Sequence, residues 1–377
     1  MEPQILKIKL ASEGNDDKEH TVLISGLVIT HQLTAEAVPW LAQAARVFDE
    51  VLVFVDEERA AGDVHARTRD VGATVFSSHA KTLYESDFGH MVATCAGEWV
   101  VRLDADEELS PEWHDPSWRS IFSTADVSHF WCPRRWLTSS EFYLAEEPWW
   151  PDYQLRVFRN RTSEIAFPTR PHEPMAVRGK AGYFRSLAIH HHDLWMSRRH
   201  VREAKAERYK RDRSDHDLSY FYCFEDFAIE PIPLPVGSVF NPETELLRMQ
   251  EFPASQACRI RLVADTLPRE LTLRQPQWLK LNVINGSTET LRSGAPFPMY
   301  LSYHWLDPDG RAVLYDGYRT AIIPGIAPGE SAWINAFIFA PDKAGQYLLQ
   351  ISVVQENVRW LEDADPSIAQ EFSVTVT

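Results

Sequence analysis

The chain has 377 residues, with 38 Lys+Arg against 54 Asp+Glu and a formal net charge of −16. That length exceeds what one hydrophobic core usually serves, so two domains are expected. The 44% hydrophobic and 24% charged content suits a globular chain and not a disordered one, and the acid excess argues against a nucleic-acid partner. No apolar run approaches the roughly 20 residues of a membrane-spanning helix. Met1-Glu2-Pro3-Gln4 does not open like a signal peptide. The cysteines Cys95, Cys132, Cys223 and Cys258 are far apart, which reads as reduced thiols in a cytoplasmic protein. One excess needs explaining: of 13 Trp, Trp113, Trp118, Trp131, Trp136, Trp149 and Trp150 fall close together.

Residues 21–30, TVLISGLVIT, predict a buried strand. A helix over 36–48 follows, with Val38, Leu41, Ala44, Ala45 and Phe48 at helical spacing, then a strand over 50–55 ending on Asp56. A helix over 60–71, a strand over 73–76, a helix over 84–96 and a strand over 98–103 complete the pattern, the last running into Asp104-Ala105-Asp106. Strands alternating with helices predict βαβ units and an α/β, mostly parallel sheet. Ligands of such sheets bind at the carboxyl ends of the strands, which places Asp56 and Asp104 in one crevice. Beyond Pro111 come aromatic-rich strands near 128–136, 149–158 and 182–190, then a basic helix over 197–213. Residues 231–256 are proline-rich and read as a linker or wrapping segment. From 257 to 377, short alternating strands punctuated by Asn285-Gly286, Asp307-Pro308-Asp309-Gly310 and Pro328-Gly329 predict an immunoglobulin-like β-sandwich. That segment carries 10 basic and 13 acidic residues, so −13 of the net charge lies on the first 256 residues.

Two carboxylates at i and i+2 after a buried strand, Asp104 and Asp106, can approach one hard cation, Mg²⁺ or Mn²⁺. The bland alternative is a solvated acid pair in a loop. The preceding strand, Asp56, and the run Asp104-Ala105-Asp106-Glu107-Glu108 favour the metal. The stretch Gly97-Glu98-Trp99-Val100-Val101-Arg102-Leu103-Asp104-Ala105-Asp106-Glu107 resembles the signature of family 2 glycosyltransferases of the GT-A fold. In the same order, Val53-Phe54-Val55-Asp56, Tyr153-Gln154-Leu155-Arg156-Val157-Phe158-Arg159, Pro171-His172-Glu173, Ile189-His190-His191 and Lys205-x-x-Arg208-Tyr209 are similar to that family's motifs. The resemblance spans about 21–210 and leaves out the C-terminal third. It departs from the family at Asp56-Glu57-Glu58-Arg59, which lacks the usual Gly and Ser of the nucleotide loop.

The resemblance implies a metal-dependent enzyme that moves a sugar from a nucleotide-sugar (UDP-, GDP- or dTDP-linked) to a glycan, lipid-linked or protein-linked acceptor, in bacterial surface polysaccharide synthesis and with inversion. Asp56 would hold the nucleoside, Asp104 the ribose or metal, and Asp106 the metal. His190 would be a further ligand, and Lys205 and Arg208 would meet the diphosphate. In an extended segment His190 and His192 share one face and His191 takes the other. Glu173 is the first choice for the carboxylate that takes the acceptor's proton, with Asp152 second. Trp149 and Trp150 could stack on acceptor sugars; core packing is the alternative, and adjacent residues of an extended chain cannot both be buried alike. The domain expectation is 1–230 for the transferase, 231–256 for the connecting segment and 257–377 for an accessory sandwich. The basic helix leaves peripheral membrane association open, at the inner face of the membrane. Two other readings stand beside this one: a non-catalytic carbohydrate-binding or assembly protein with a degenerate transferase domain, and a nucleotidyltransferase-like enzyme, which would want a Gly-rich phosphate loop that Thr30-His31-Gln32-Leu33 does not provide.

Overall fold

A computed structural model describes residues 22–377 apart from 31–32, 57–59, 61–62, 79–86, 147, 169–174, 213–218, 237–238, 248, 266–268, 295–296 and 324. Glu57-Glu58-Arg59, Pro171-His172-Glu173 and part of the expected 84–96 helix therefore lie outside the described residues. The first elements are β1 (Ile24–Thr30), α1 (Ala37–Val47), β2 (Glu50–Asp56), α2 (Val64–Asp70), β3 (Thr74–Ser78), α3 (Phe88–Thr94) and β4 (Trp99–Asp104). β1 is buried at every position because β2 and β4 flank its edges while α1 packs on one face and α3 on the other. That is why its sequence is a continuous apolar run and not an alternating one. Gly97 opens β4, and a Cβ there would sit 2.6 Å from the Ser25 backbone nitrogen, so only glycine lets β4 start so close to β1.

The chain continues through β5 (Glu107–Leu109), α4 (Arg119–Thr124), β6 (His129–Trp136), β7 (Phe142–Tyr143), β8 (Asp152–Arg159), β9 (Ile165–Ala166), β10 (Ala176–Val177), β11 (Ala181–Tyr183), β12 (Ile189–His191), α5 (Asp193–Met196) and α6 (Arg199–Asp212). The main sheet runs β3-β2-β1-β4-β8-β6-β12-β5, with β11 also on β6. Its pairs are parallel except β4 with β8, β8 with β6, and β12 with β5, so it is mixed and mostly parallel. The helix-linked first half is all parallel; the antiparallel pairs begin after Asp104, where crossover helices cease.

The tryptophan excess is largely core. Trp99, Trp113, Trp118, Phe122, Phe130 and Phe184 meet edge-on or offset with centroids 4.6–6.1 Å apart, the arrangement aromatic rings favour. Trp131, Trp136 and Trp149 are buried as well.

The C-terminal region is two sheets packed face to face. One is Ile260–Ala264, Pro276–Asn285 and Ser331–Phe339; the other is built on Met299–Leu306, Gly345–Gln355 and Gln370–Val376. Alternating inward residues such as Leu279, Leu281 and Val283 meet Leu349, Ile351 and Val353 in a shared apolar core. Residues 231–256 run from one unit to the other. Phe240 is buried in the α/β core and Phe252 in the sandwich core. Between them Glu245 accepts hydrogen bonds from the Ser186 and Leu187 backbone N–H groups and the Ser186 hydroxyl. The units also touch directly: Trp131, Tyr153 and Tyr183 pack with Tyr300, Val354 and Trp360, the Tyr183 and Tyr300 hydroxyls hydrogen-bond, and Asn357 Nδ2 donates to the Ala181 carbonyl.

Candidate functional site

β4 ends at Asp104, Ala105 and Asp106 turn the chain, and β5 begins at Glu107. The turn is closed locally, because the Asp104 backbone N–H donates to Glu107 Oε2 at 3.0 Å. It is anchored from outside by β12, whose following residue, His192, donates its N–H to the Asp106 carbonyl at 2.9 Å. Asp56 ends β2, on the other side of β1 from β4. The two acids therefore sit at carboxyl ends of strands two ladders apart, about 10 Å.

Asp104 is gripped by arginines: Arg102 reaches Oδ1 and Arg156 reaches Oδ2, each at 2.8 Å. Arg156 also holds Glu107 Oε1 at 2.6 Å, and Arg134 links Glu107 (3.5 Å) to Asp152 (2.7 Å). Burial opposes charge on Asp104, but Arg102 and Arg156 overcome it and hold the carboxyl well below the usual range. Asp106 is the contrast. Burial and the neighbouring Asp104 charge push its carboxyl up, an effect discounted by its side chain being 39% exposed. Its nearest ion-pair contact among the described residues is His191 Nε2, 3.6 Å from Oδ2.

The three histidines divide by strand alternation. His190 and His192 face Glu108, at 4.0 and 3.2 Å; His190 also meets Arg135 at 3.3 Å, and His192 stacks on Trp40 of α1 at 3.8 Å. His191 takes the opposite face, its ring tilted against Trp136 with centroids 4.0 Å apart and directed at Asp106. β12 turns His190, the ring expected beside the acid pair, toward Glu108 and away from Asp106, and the ring that meets Asp106 is His191. Burial holds both His190 and His191 down to about 3, helped by Arg135 beside His190 and Arg134 beside His191. Both rings are therefore neutral, the form that binds metals. Among the described residues no group of three or more His, Cys, Asp or Glu is arranged to hold a metal ion.

Lys205 of α6 pairs with Asp193 at 2.6 Å. Burial opposes its charge, but Tyr222, Asp193 and Asp106 more than offset this and raise it. Arg208 is exposed on α6, off the stripe of Arg202, Lys205, Ala206 and Tyr209 that packs inward. Asp152 accepts from Arg134, the Trp136 indole and Gln154 at 2.7–2.8 Å, so its oxygens are occupied as a structural tie. Glu173 lies outside the described residues. Trp149 cannot serve as a platform: it is 2% exposed, packed with Trp136, Leu194 and Tyr222, and its indole donates to the Phe221 carbonyl. Trp150 is half-buried, edge-on to Tyr143, with the Arg135 guanidinium 5.0 Å from its ring centre. Sequence reasoning missed the Glu107–Arg156–Arg134 tie entirely. Arg156 carried a signal, as the charged residue inside a strand of otherwise apolar inward positions.

No family model matches the sequence, and no curated protein matches it. Among solved structures, the chain is similar to residues 1–349 of TarS from S. aureus, at 9% identity over 55% of this chain and 73% of that one, TM-score 0.34. It is similar to glucosyl-3-phosphoglycerate synthase from Mycobacterium tuberculosis at 14% identity over 37% and 57% of the two chains, TM-score 0.28. A beta-glucosidase from Listeria innocua aligns at 13% identity with TM-score 0.21, over 31% of this chain but only 16% of its own length.

Proposed function

We propose that the chain is a metal-dependent glycosyltransferase that moves a sugar from a nucleotide-sugar to a glycan or glycoconjugate acceptor. The observation that carries the reading is the carboxyl-end crevice, where Asp56 and the Asp104–Asp106 turn flank β1 and Asp106 converges with His191. A diphosphate donor needs a countercharge as it departs, and a Mg²⁺ or Mn²⁺ ion bound mainly through substrate phosphates requires only one or two protein ligands. Asp106 and His191 fit such an ion: a carboxylate short of positive charge beside a neutral imidazole. When bound, the ion would neutralise the leaving diphosphate. Asp104, fixed by Arg102 and Arg156, orients the turn and can still accept ribose hydroxyls through its remaining lone pairs. Lys205 lies on the same side and supports the negative charge. Glu173 is the proposed acceptor of the sugar-acceptor proton, and Trp150 offers the acceptor a partly open ring. Domain limits of 1–230 and 257–377, with 231–256 as a strap, belong to the same proposal.

The test is thermal shift and donor hydrolysis with UDP-, GDP- and dTDP-sugars plus Mn²⁺. A matching donor at 100 times its Kd should stabilise the chain by about 2.7 kcal/mol. Asp106→Ala should cut metal-dependent hydrolysis at least about a hundredfold while leaving the fold intact; unchanged turnover removes Asp106 from the site. No shift with any donor would favour the non-catalytic carbohydrate-binding reading, for which the double arginine grip on Asp104 is the supporting observation.

A further inference from the structure

A second concavity lies where the two units meet. It is a groove of about 660 Å³, inside the ~300–1,000 Å³ range of small-molecule sites. The α/β unit lines it with Arg159, Arg161, Arg178 and Lys180, and the sandwich lines it with Val313, Tyr315 and Asp316. It is remote from the carboxylate crevice. Arg159 pairs with Trp99 at the start of β4, and Asp104 is five residues further along, about 17 Å.

The groove's chemistry narrows its ligand. The cations do not form a bare positive patch: Lys180 pairs with Asp126 at 2.9 Å and Arg161 with Glu164 at 3.5 Å, both acids also lining the groove. Asp316 adds a third carboxylate, itself paired with Arg319 at 2.6 Å. A polyanion would meet these acids, and an apolar ligand would desolvate the charges. What suits alternating fork donors and carboxylate acceptors is a ligand whose every edge both donates and accepts, that is, one bearing vicinal hydroxyls. Such a ligand also needs an apolar platform for its C–H face. Tyr315 and Val313 are each 55% exposed, and the Tyr315 ring is braced from behind by stacking on His304 at 4.4 Å. His304 is fixed in turn by Glu362 at 2.8 Å and by Trp360, ring centres 4.0 Å apart. A rigid exposed aromatic loses little freedom on binding.

We propose that this interdomain groove binds a run of saccharide residues, holding a glycan at a distance from the catalytic crevice. The proposal rests on the glycosyltransferase reading for the role of that glycan, not for the binding itself. The test uses the full chain, without donor, titrated by calorimetry with cellotetraose, maltotetraose and chitotetraose, all uncharged. At least one should bind, and Tyr315→Ala and Arg161→Ala, both at exposed positions, should each weaken it, Tyr315→Ala by about tenfold. Neither change should alter donor hydrolysis, and Asp106→Ala should leave the titration unchanged. Binding by none of the three, or binding indifferent to both groove variants, overturns the site. A chain that binds the saccharide but turns over no donor keeps the groove and removes the transferase.

Discussion

In the sandwich, Leu281, Val283, Ile351, Val353 and Val374 lie fully buried in an apolar interior that also holds Tyr303, Trp305 and Phe372. At the carboxyl ends of the first unit's strands, burial falls instead on Glu107, Arg156, His190, His191 and Asp193. Both regions exclude water, yet the first gains stability by doing so and the second must spend much of it on desolvation. Arg156 shows how the second region survives: it meets Asp104 and Glu107 together, and Lys205 meets Asp193, whereas the partly exposed Asp106 has His191 as its nearest ion-pair contact among the described residues. A region that spends stability on desolvating charges is arranged for something other than stability.

The contrast can be broken most directly at Arg156. Arg156→Ala should destabilise the chain by about 3–5 kcal/mol, by stranding Glu107 and half of Asp104; a loss below about 1 kcal/mol in urea unfolding would mean the tie is not energetically coupled. Leu281→Ala, which only opens a cavity in the sandwich, should cost about 3 kcal/mol and leave donor binding unaltered in the same assay. Acid sharpens the comparison, because the depressed histidines lie mainly on the first unit. His129, His190 and His191 are held down to about 3 by burial, with Arg319 aiding at His129, Arg135 at His190 and Arg134 at His191. Between that value and the ordinary 6.5 the unfolded chain binds more protons, so stability rises with pH and is lost as pH falls below about 6.5. At pH 5 each histidine should account for about 2 kcal/mol, offset in part by Asp106 and Glu356, whose raised carboxyls act in the opposite sense. Urea midpoints at pH 7, 6 and 5 should fall steadily; a flat profile would mean that these rings are not buried neutral. Arg199→Ala breaks solvent-exposed pairs with Glu203 and Asp226 and should leave the urea midpoint almost unchanged.

How much of this was readable in the residues follows the same divide. The two-sheet β region was legible as short alternating strands with Asn-Gly, Asp-Gly and Pro-Gly turns between them, since period-two alternation and turn residues are local signals. The parallel half of the α/β sheet was legible for the same reason, its apolar runs marking strands buried on both faces. The Asp104–Asp106 turn was visible as a motif. Its partners were not: Arg156 is 52 residues from Asp104 and His191 is 85 from Asp106, and nothing local says which of three consecutive histidines will meet an acid so far away. Alternation separated His191 from its neighbours correctly; only the pairing of β12 with β5 decides which face looks at Asp106. Trp149 and Trp150 could not be told apart in the sequence, because adjacency says that the two rings differ in burial but not that Trp149 is the buried one.

The strap between Phe240 and Phe252 has a consequence for how this molecule comes apart. Each phenylalanine is sealed in a different core, and Glu245 between them holds the Ser186–Leu187 backbone that leads into β12. Pulling the sandwich away therefore drags on the strand that presents His191, while Tyr183 and Tyr300 lose their shared hydrogen bond. A chain cut at the end of the strap would expose aromatic surface on both pieces and leave the histidine strand without its brace. The two units should therefore melt as one cooperative body, in a single calorimetric transition, with the sandwich bracing the strand that carries His191.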